Sequence, residues 1–192
     1  MSQIVLVRPG STDYDEQGRI AGNLDIPLCH SGAGQVARIV GELKDVPLSL
    51  VFAAPDQASQ QTAAAIAAAH DAKVKTLDAL LNLDMGLWQG KLIEDVRTKQ
   101  KKVYRQWQEN PETVCPPEGE MLAEAIRRIG SAIDKVVRKA KTSPVALVVP
   151  EPLCSVVRRQ LTSENIGDLW AADSICGSWE TIDMAATANL LP

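Results

Sequence analysis

The chain has 192 residues, 45% of them hydrophobic, enough for one domain with a real core, and a single domain over residues 1–192 is predicted. Its formal charge of −4 argues against a general nucleic-acid binder, and no segment approaches the ~20 apolar residues of a membrane span, so neither nucleic acid nor membrane is an expected partner. The N-terminus carries no basic region followed by a signal core, which makes cytoplasmic residence the default expectation.

The elements follow in chain order. Ile4 to Val7 is a short, continuous apolar run, as a parallel strand covered on both faces requires, and it closes in Arg8-Pro9-Gly10. Val36, Ile39, Val40 and Leu43 fall at i, i+3, i+4, i+7 and predict a helix with one apolar face. Leu48 to Phe52 is a second candidate strand, and the Ala-rich stretch Gln60 to His70 a second helix. Arg97, Lys99, Lys101, Lys102 and Arg105, interleaved with Tyr104 and Trp107, predict a solvated helix face; the aromatics there could also serve a partner protein. Pro111, Pro116 and Pro117 mark Asn110 to Gly119 as a loop.

The clearest helix is predicted from about Glu120 to Lys141, on the stripe Leu122, Ala125, Ile126, Ile129, Ile133, Val136 and Val137. Val145 to Val149 is another buried strand, ending in Pro150, and Pro152 opens a further helix through Leu161. Ile175 to Met184 predicts a final edge strand. From Ser163 onward there are five acids and no Lys or Arg, so most of the acidity lies at the C-terminal end, where Trp170 and Trp179 offer a second candidate contact surface. Strands alternating with helices imply an α/β fold, a three-layer α/β/α sandwich around a mostly parallel sheet. Ligands of such sheets sit beyond the carboxyl ends of the strands, which brings Arg8 and Pro9 beside Pro150 and Glu151. Cys29, Cys115, Cys154 and Cys176 form no CxxC pair, and His30 and His70 are the only histidines. Reduced, partly buried thiols are therefore expected, and no metal or other cofactor.

Seven ordered motifs carry a resemblance. Arg8-Pro9-Gly10-Ser11-Thr12 stands where one family has Arg-His-Gly-Glu-Ser/Thr, and Gly18 to Leu28 is similar to its Gly-Arg-x-Gln-Gly-x-x-Asp-x-Pro-Leu. Gly32 through Gln35 and Ala37 fit Gly-x-x-Gln-Ala, and Ala53 to Ala63 resembles Ser-Ser-Pro-x-x-Arg-Ala-x-Gln-Thr-Ala. Asn82 through Gly90 is similar to Glu-x-x-x-Gly-x-Trp-Glu-Gly, Pro116 to Glu120 to Pro-x-Gly-Glu, and Val148 to Glu151 to Val-Ser-His-Gly. Over residues 3 to 185 the chain resembles the histidine phosphatase superfamily, in its phosphoglycerate-mutase-like branch.

The resemblance implies a site in which one histidine attacks phosphorus, two arginines and a second histidine hold the phosphoryl oxygens, and an acid protonates the leaving oxygen. Carried over by position, only Arg8 keeps its identity. Pro9 stands at the nucleophile, Ala58 at the second arginine, Asn82 at the acid and Pro150 at the second histidine, while Asp15 stands at a phosphate-holding asparagine. Phosphate-monoester cleavage needs a barrier lowered by roughly 20 kcal/mol or more, and proline offers no nucleophile or N–H. The expectation from the sequence is therefore a catalytically inactive protein of this fold with a binding, scaffold or regulatory role.

Arg8, Gly10, Asp15 and Glu151 are the expected anion-binding or pocket residues, with Arg8 paired to Glu151 or Asp15. The expected partner is a protein or a small anionic ligand, with a homodimer as a further possibility. Two other readings stay open: a phosphomonoester phosphatase or mutase with residual or reassigned chemistry at the same pocket, and a sensor that binds a small anion without turnover. Reassigned chemistry predicts a pocket carboxylate of raised pKa. Cys154 reads as a buried helix thiol, Trp88 as the core anchor of the Gly86–Gly90 turn, and Asn82 as a loop-stabilising amide.

Overall fold

A computed structural model describes residues 3–172 and 175–184. The strands are β1 (Gln3–Val7), β2 (Leu50–Ala53), β3 (Lys73–Thr76), β4 (Val145–Val148) and β5 (Trp179–Asp183). They form one sheet in the order β3-β2-β4-β1-β5. Every pairing is parallel except β1 with the antiparallel β5. β1 pairs in register with β4, from Ile4 opposite Val145 to Val7 opposite Val148.

The apolar runs are continuous because both faces of the central strands are covered. Ile4, Leu6, Phe52, Val145 and Leu147 face one core, shared with Ile129, Ile133 and Val136 of α6 (Leu122–Ala140) and Val156 and Leu161 of α7 (Leu153–Thr162). Val5, Val7, Val51, Ala146 and Val148 face the other, against Ile39 and Leu43 of α2 (His30–Leu43) and Ala63 and Ile66 of α3 (Gln57–Ala69). The expected three-layer α/β/α arrangement is present.

Most predicted elements lie within a few residues of their expected bounds. α3 begins earlier than the Ala-rich stretch suggests, because Asp56 caps it through its side chain. β3 escapes the sequence pattern altogether: its residues Lys-Val-Lys-Thr are all exposed, so it has no apolar run to betray it. An edge strand dressed in lysine is a common defence against unwanted strand pairing. The basic stretch is helical, as expected, but in two pieces, α4 (Ile93–Lys99) and α5 (Lys101–Glu109), broken at Gln100. The remaining short helices are α1 (Asp13–Glu16) and α8 (Leu169–Ala172).

The interleaved aromatics pack against other aromatic side chains of the same chain. Tyr104 stacks on Trp170 with centroids 5.0 Å apart, and Trp107 and Trp88 pack edge to face at 6.1 Å. The Trp170 indole donates to the Tyr104 carbonyl at 3.0 Å, so the basic and acidic segments are joined through their aromatics. Trp88 is buried in the core, as expected of the Gly86–Gly90 anchor. No helix among the described residues is long and apolar enough to cross a membrane.

Candidate active site

Loops leaving the carboxyl ends of β1, β2 and β4 enclose a small cavity of about 50 Å³, room for only a few waters. Arg8, Pro9 and Gly10 enter it from β1, Asp56 and Ala58 from the start of α3, and Pro150 and Glu151 from β4. Thr12, Asp15 and Asn82 complete its polar lining, with Ile175 and Cys176 from the C-terminal loop. All eight positions singled out in the sequence thus surround one cavity.

The backbone of this loop cluster is fixed by sheet-like bonds that continue past the strand ends. The Val149 amide donates to the Val7 carbonyl, Ala54 to Val148 and Arg8 to Ser178. Gly10 is a glycine by necessity, since a Cβ there would sit 2.4 Å from the Gly32 carbonyl oxygen. Its close approach lays the loop on the start of α2, and Gln35 in the second turn accepts from the Ser11 amide at 2.9 Å. Pro9 offers no amide, while its carbonyl accepts from Gly177 at 2.7 Å.

Arg8 is the cation of the cavity. Its Nε donates to Glu151 Oε1 at 2.5 Å and its Nη1 to Glu180 Oε1 at 3.1 Å. Burial of the guanidinium works against its charge, but the surrounding negative groups, Glu151 and Glu180 among them, outweigh it and hold the pKa above its ordinary value. Glu151 spends its second oxygen on the Ser155 amide and hydroxyl at 3.0 and 2.8 Å, closing the first turn of α7. A carboxylate is favoured at a helix start. Of the two expected partners of Arg8, the structure selects Glu151.

Asp15 corrects the other half of that expectation. Its Oδ2 accepts from the Thr12 amide at 2.6 Å and the Thr12 hydroxyl at 2.7 Å, forming the capping box of α1 rather than a bridge to Arg8. Asn82, only 4% exposed, is the loop-stabilising amide expected. Its Nδ2 donates to the carbonyls of Gly22 at 3.0 Å and Glu151 at 2.7 Å, and its Oδ1 accepts from the amides of Leu83 and Leu153. Arg128 holds that loop from behind, through the Ala79 carbonyl at 2.6 Å and the Asn82 carbonyl at 3.2 Å, with Glu120 as its ion-pair partner.

Cys154 is fully buried, and burial, reinforced by Glu151, pushes its thiol well above the usual range despite Arg8. It is the inert helix thiol expected. Cys115 is exposed, against the expectation of partly buried thiols, because it lies in the proline-rich loop.

Sequence reasoning missed Asp56 and Glu180. Asp56 lines the cavity while its burial raises its pKa, against the opposing pull of the Ser59 amide and with a further push from Asp25. An acid just before an Ala-rich helix is a readable cap signal; its place in the pocket is not readable. Glu180 is on the edge strand β5 and carries no spacing signal at all. The one group of potential metal ligands close enough to share an ion among the described residues is Asp13, Glu16 and Cys29, away from the cavity lining.

The model of the histidine phosphatase superfamily (branch 1) matches residues 4–188. Phosphoserine phosphatase 1 of Hydrogenobacter thermophilus is 26% identical over 191 residues, covering 100% of this chain and 90% of its own length. The probable phosphoglycerate mutase GpmB of Yersinia enterocolitica is 30% identical over 148 residues, 77% of this chain and 69% of its own. Among solved structures, the mycobacterial glucosyl-3-phosphoglycerate phosphatase Rv2419c in complex with VO3 superposes with a TM-score of 0.80 at 20% identity, covering 93% of this chain and 90% of that one. These relatives are named as phosphatases and mutases, which overturns the expectation of a catalytically inactive protein.

Proposed function

The chain belongs to the histidine phosphatase superfamily (branch 1), and from that membership we propose that it is a phosphomonoester phosphatase working at the Arg8 cavity with reassigned chemistry. The observation that carries this reading is the placement of Arg8. It is a buried, permanently charged fork held beyond the carboxyl ends of β1 and β4 by Glu151 and Glu180. Its Nε and Nη1 make those two bonds, which leaves Nη2, unbonded among the described residues, for a phosphoryl oxygen. Arg is suited to that task because its charge is fixed and its donors are preorganised.

With proline at positions 9 and 150, the reassigned route is direct attack of water on phosphorus. The water oxygen–phosphorus bond forms as the ester phosphorus–oxygen bond breaks, giving an alcohol and inorganic phosphate. Transfer through a loose transition state asks little of a base and much of position and charge. Arg8 supplies the charge. The cavity walls, Thr12, Leu24, Ile26 and Ile175 among them, supply position by confining the phosphoryl group.

Phosphate release from p-nitrophenyl phosphate and from phosphoserine tests the reading. Turnover that scales with protein and falls at least tenfold in Arg8→Lys, in a variant whose far-UV circular dichroism matches the parent, is the expected result. Release from neither ester by the parent chain overturns it.

A further inference from the structure

Asp56 is a buried acid of the cavity for which the proposed reaction has so far found no use. Its Oδ1 accepts from the Ser59 amide at 2.9 Å and so caps α3. Its Oδ2 is buried with no hydrogen-bond partner among the described residues, and the residue, only 9% exposed, lines the same cavity as Arg8. The Ser59 hydroxyl beside it is also buried and makes no well-formed bond. An ionised carboxylate left with a bare oxygen in such a place forfeits solvation that nothing replaces. A proton on Oδ2 relieves that cost.

The surroundings agree. Burial is the leading cause that raises the Asp56 carboxyl above the ordinary aspartate range; the Ser59 amide and hydroxyl oppose it, and the Asp25 carboxylate adds to it. Asp25 sits on the neighbouring loop, bonded to the amide of Gln57. Across the cavity stand one cation, Arg8, and the carboxylates of Asp15 and Glu151.

We propose that Asp56 is the general acid of this cleft, its carboxyl turning toward the cavity to give its proton to the ester oxygen as the phosphoryl group departs. The assignment rests on the phosphatase reading and narrows its substrates to esters of ordinary alcohols, whose alkoxides do not leave without a proton. In the balanced step, water adds to phosphorus and the alcohol leaves with the Asp56 proton. The proton surplus on the phosphate product then restores Asp56, directly or through solvent.

Asp56→Asn is the decisive variant, because asparagine caps a helix as well as aspartate does. The variant is expected to lower kcat for phosphoserine by about 10²–10⁴-fold and to leave p-nitrophenyl phosphate within tenfold, since that phenolate departs unaided. The fall of parent kcat for phosphoserine with rising pH is expected to vanish in the variant. Equal loss on both esters, or no loss on either, overturns the role of Asp56 while leaving the phosphatase reading in place. A parent chain that turns over neither ester overturns both. Carbon-13 NMR of the Asp56 carboxyl gives a readout that needs no turnover. It is expected to titrate above the usual aspartate range and to shift with inorganic phosphate, and a carboxyl that titrates normally or ignores phosphate overturns the assignment.

Discussion

Arg8 and Glu151 are 143 positions apart in the chain, yet Nε of one lies 2.5 Å from Oε1 of the other, with side chains 11% and 6% exposed. The pair joins the exit of β1 to the start of α7 and sets the charge of the cavity. Glu151 holds the Nε edge of the guanidinium, so its negative charge competes with a phosphoryl oxygen bound at Nη2 for the same cation. Glu151→Gln is expected to weaken that competition. Inorganic phosphate should raise the Tm of the variant more than that of the parent, as differential scanning fluorimetry would show.

Removing the cation instead leaves Glu151 buried with its charge unanswered. Arg8→Ala is expected to lose about 3–5 kcal/mol of stability in urea. The double variant Arg8→Ala, Glu151→Ala should recover part of that loss. Strict additivity in the cycle would mean the pair is not coupled.

Asn82 is tied to four backbone groups of three separate segments. Neither a carboxylate nor a longer side chain reproduces that set, because a carboxylate cannot donate to the carbonyls of Gly22 and Glu151. Asn82→Glu, which restores the acid that the family resemblance implies at this position, should therefore destabilise the fold by about 1–3 kcal/mol. Guanidinium unfolding would measure it.

Gly86 has a φ of +48°, and a Cβ there would stand 2.1 Å from the Pro117 carbonyl oxygen. Gly86→Ala combines left-handed strain, roughly 1–3 kcal/mol, with a backbone overlap that the loop must open to relieve. A lowered Tm is expected, together with faster proteolysis in the 111–119 loop.

Asp56 also governs stability against pH. The folded chain holds its proton more tightly than the unfolded chain does, because burial raises the folded pKa. Its contribution is thus complete below the unfolded aspartate pKa and is lost as pH rises through the raised value. Asp56→Asn lacks this loss, so its stability relative to the parent should improve with rising pH in urea titrations.

How much of this could be read from residues alone varies with the kind of interaction. Val145 to Val148 and Ile4 to Val7 announced themselves, since strands covered on both faces must be apolar at every position. The stripe of α6 did so through its period. β3 did not, because an exposed edge strand carries no burial signal. The eight cavity positions were found through ordered motifs and the rule that strand ends gather ligands. Motif order leaves the partner of Arg8 as a choice between two acids and gives no sign of Glu180.

By itself, then, the sequence determined the layers, the central strands and the convergence of Arg8, Pro9, Asn82, Pro150 and Glu151, since periodicity and motif order are local properties of a chain. Only the tertiary structure decided which carboxylate meets Arg8, what Asn82 holds, and that Asp56 keeps one oxygen buried and unanswered beside the cavity. Charge pairing and desolvation depend on distances across loops that are remote in sequence, and no spacing along the chain encodes those distances.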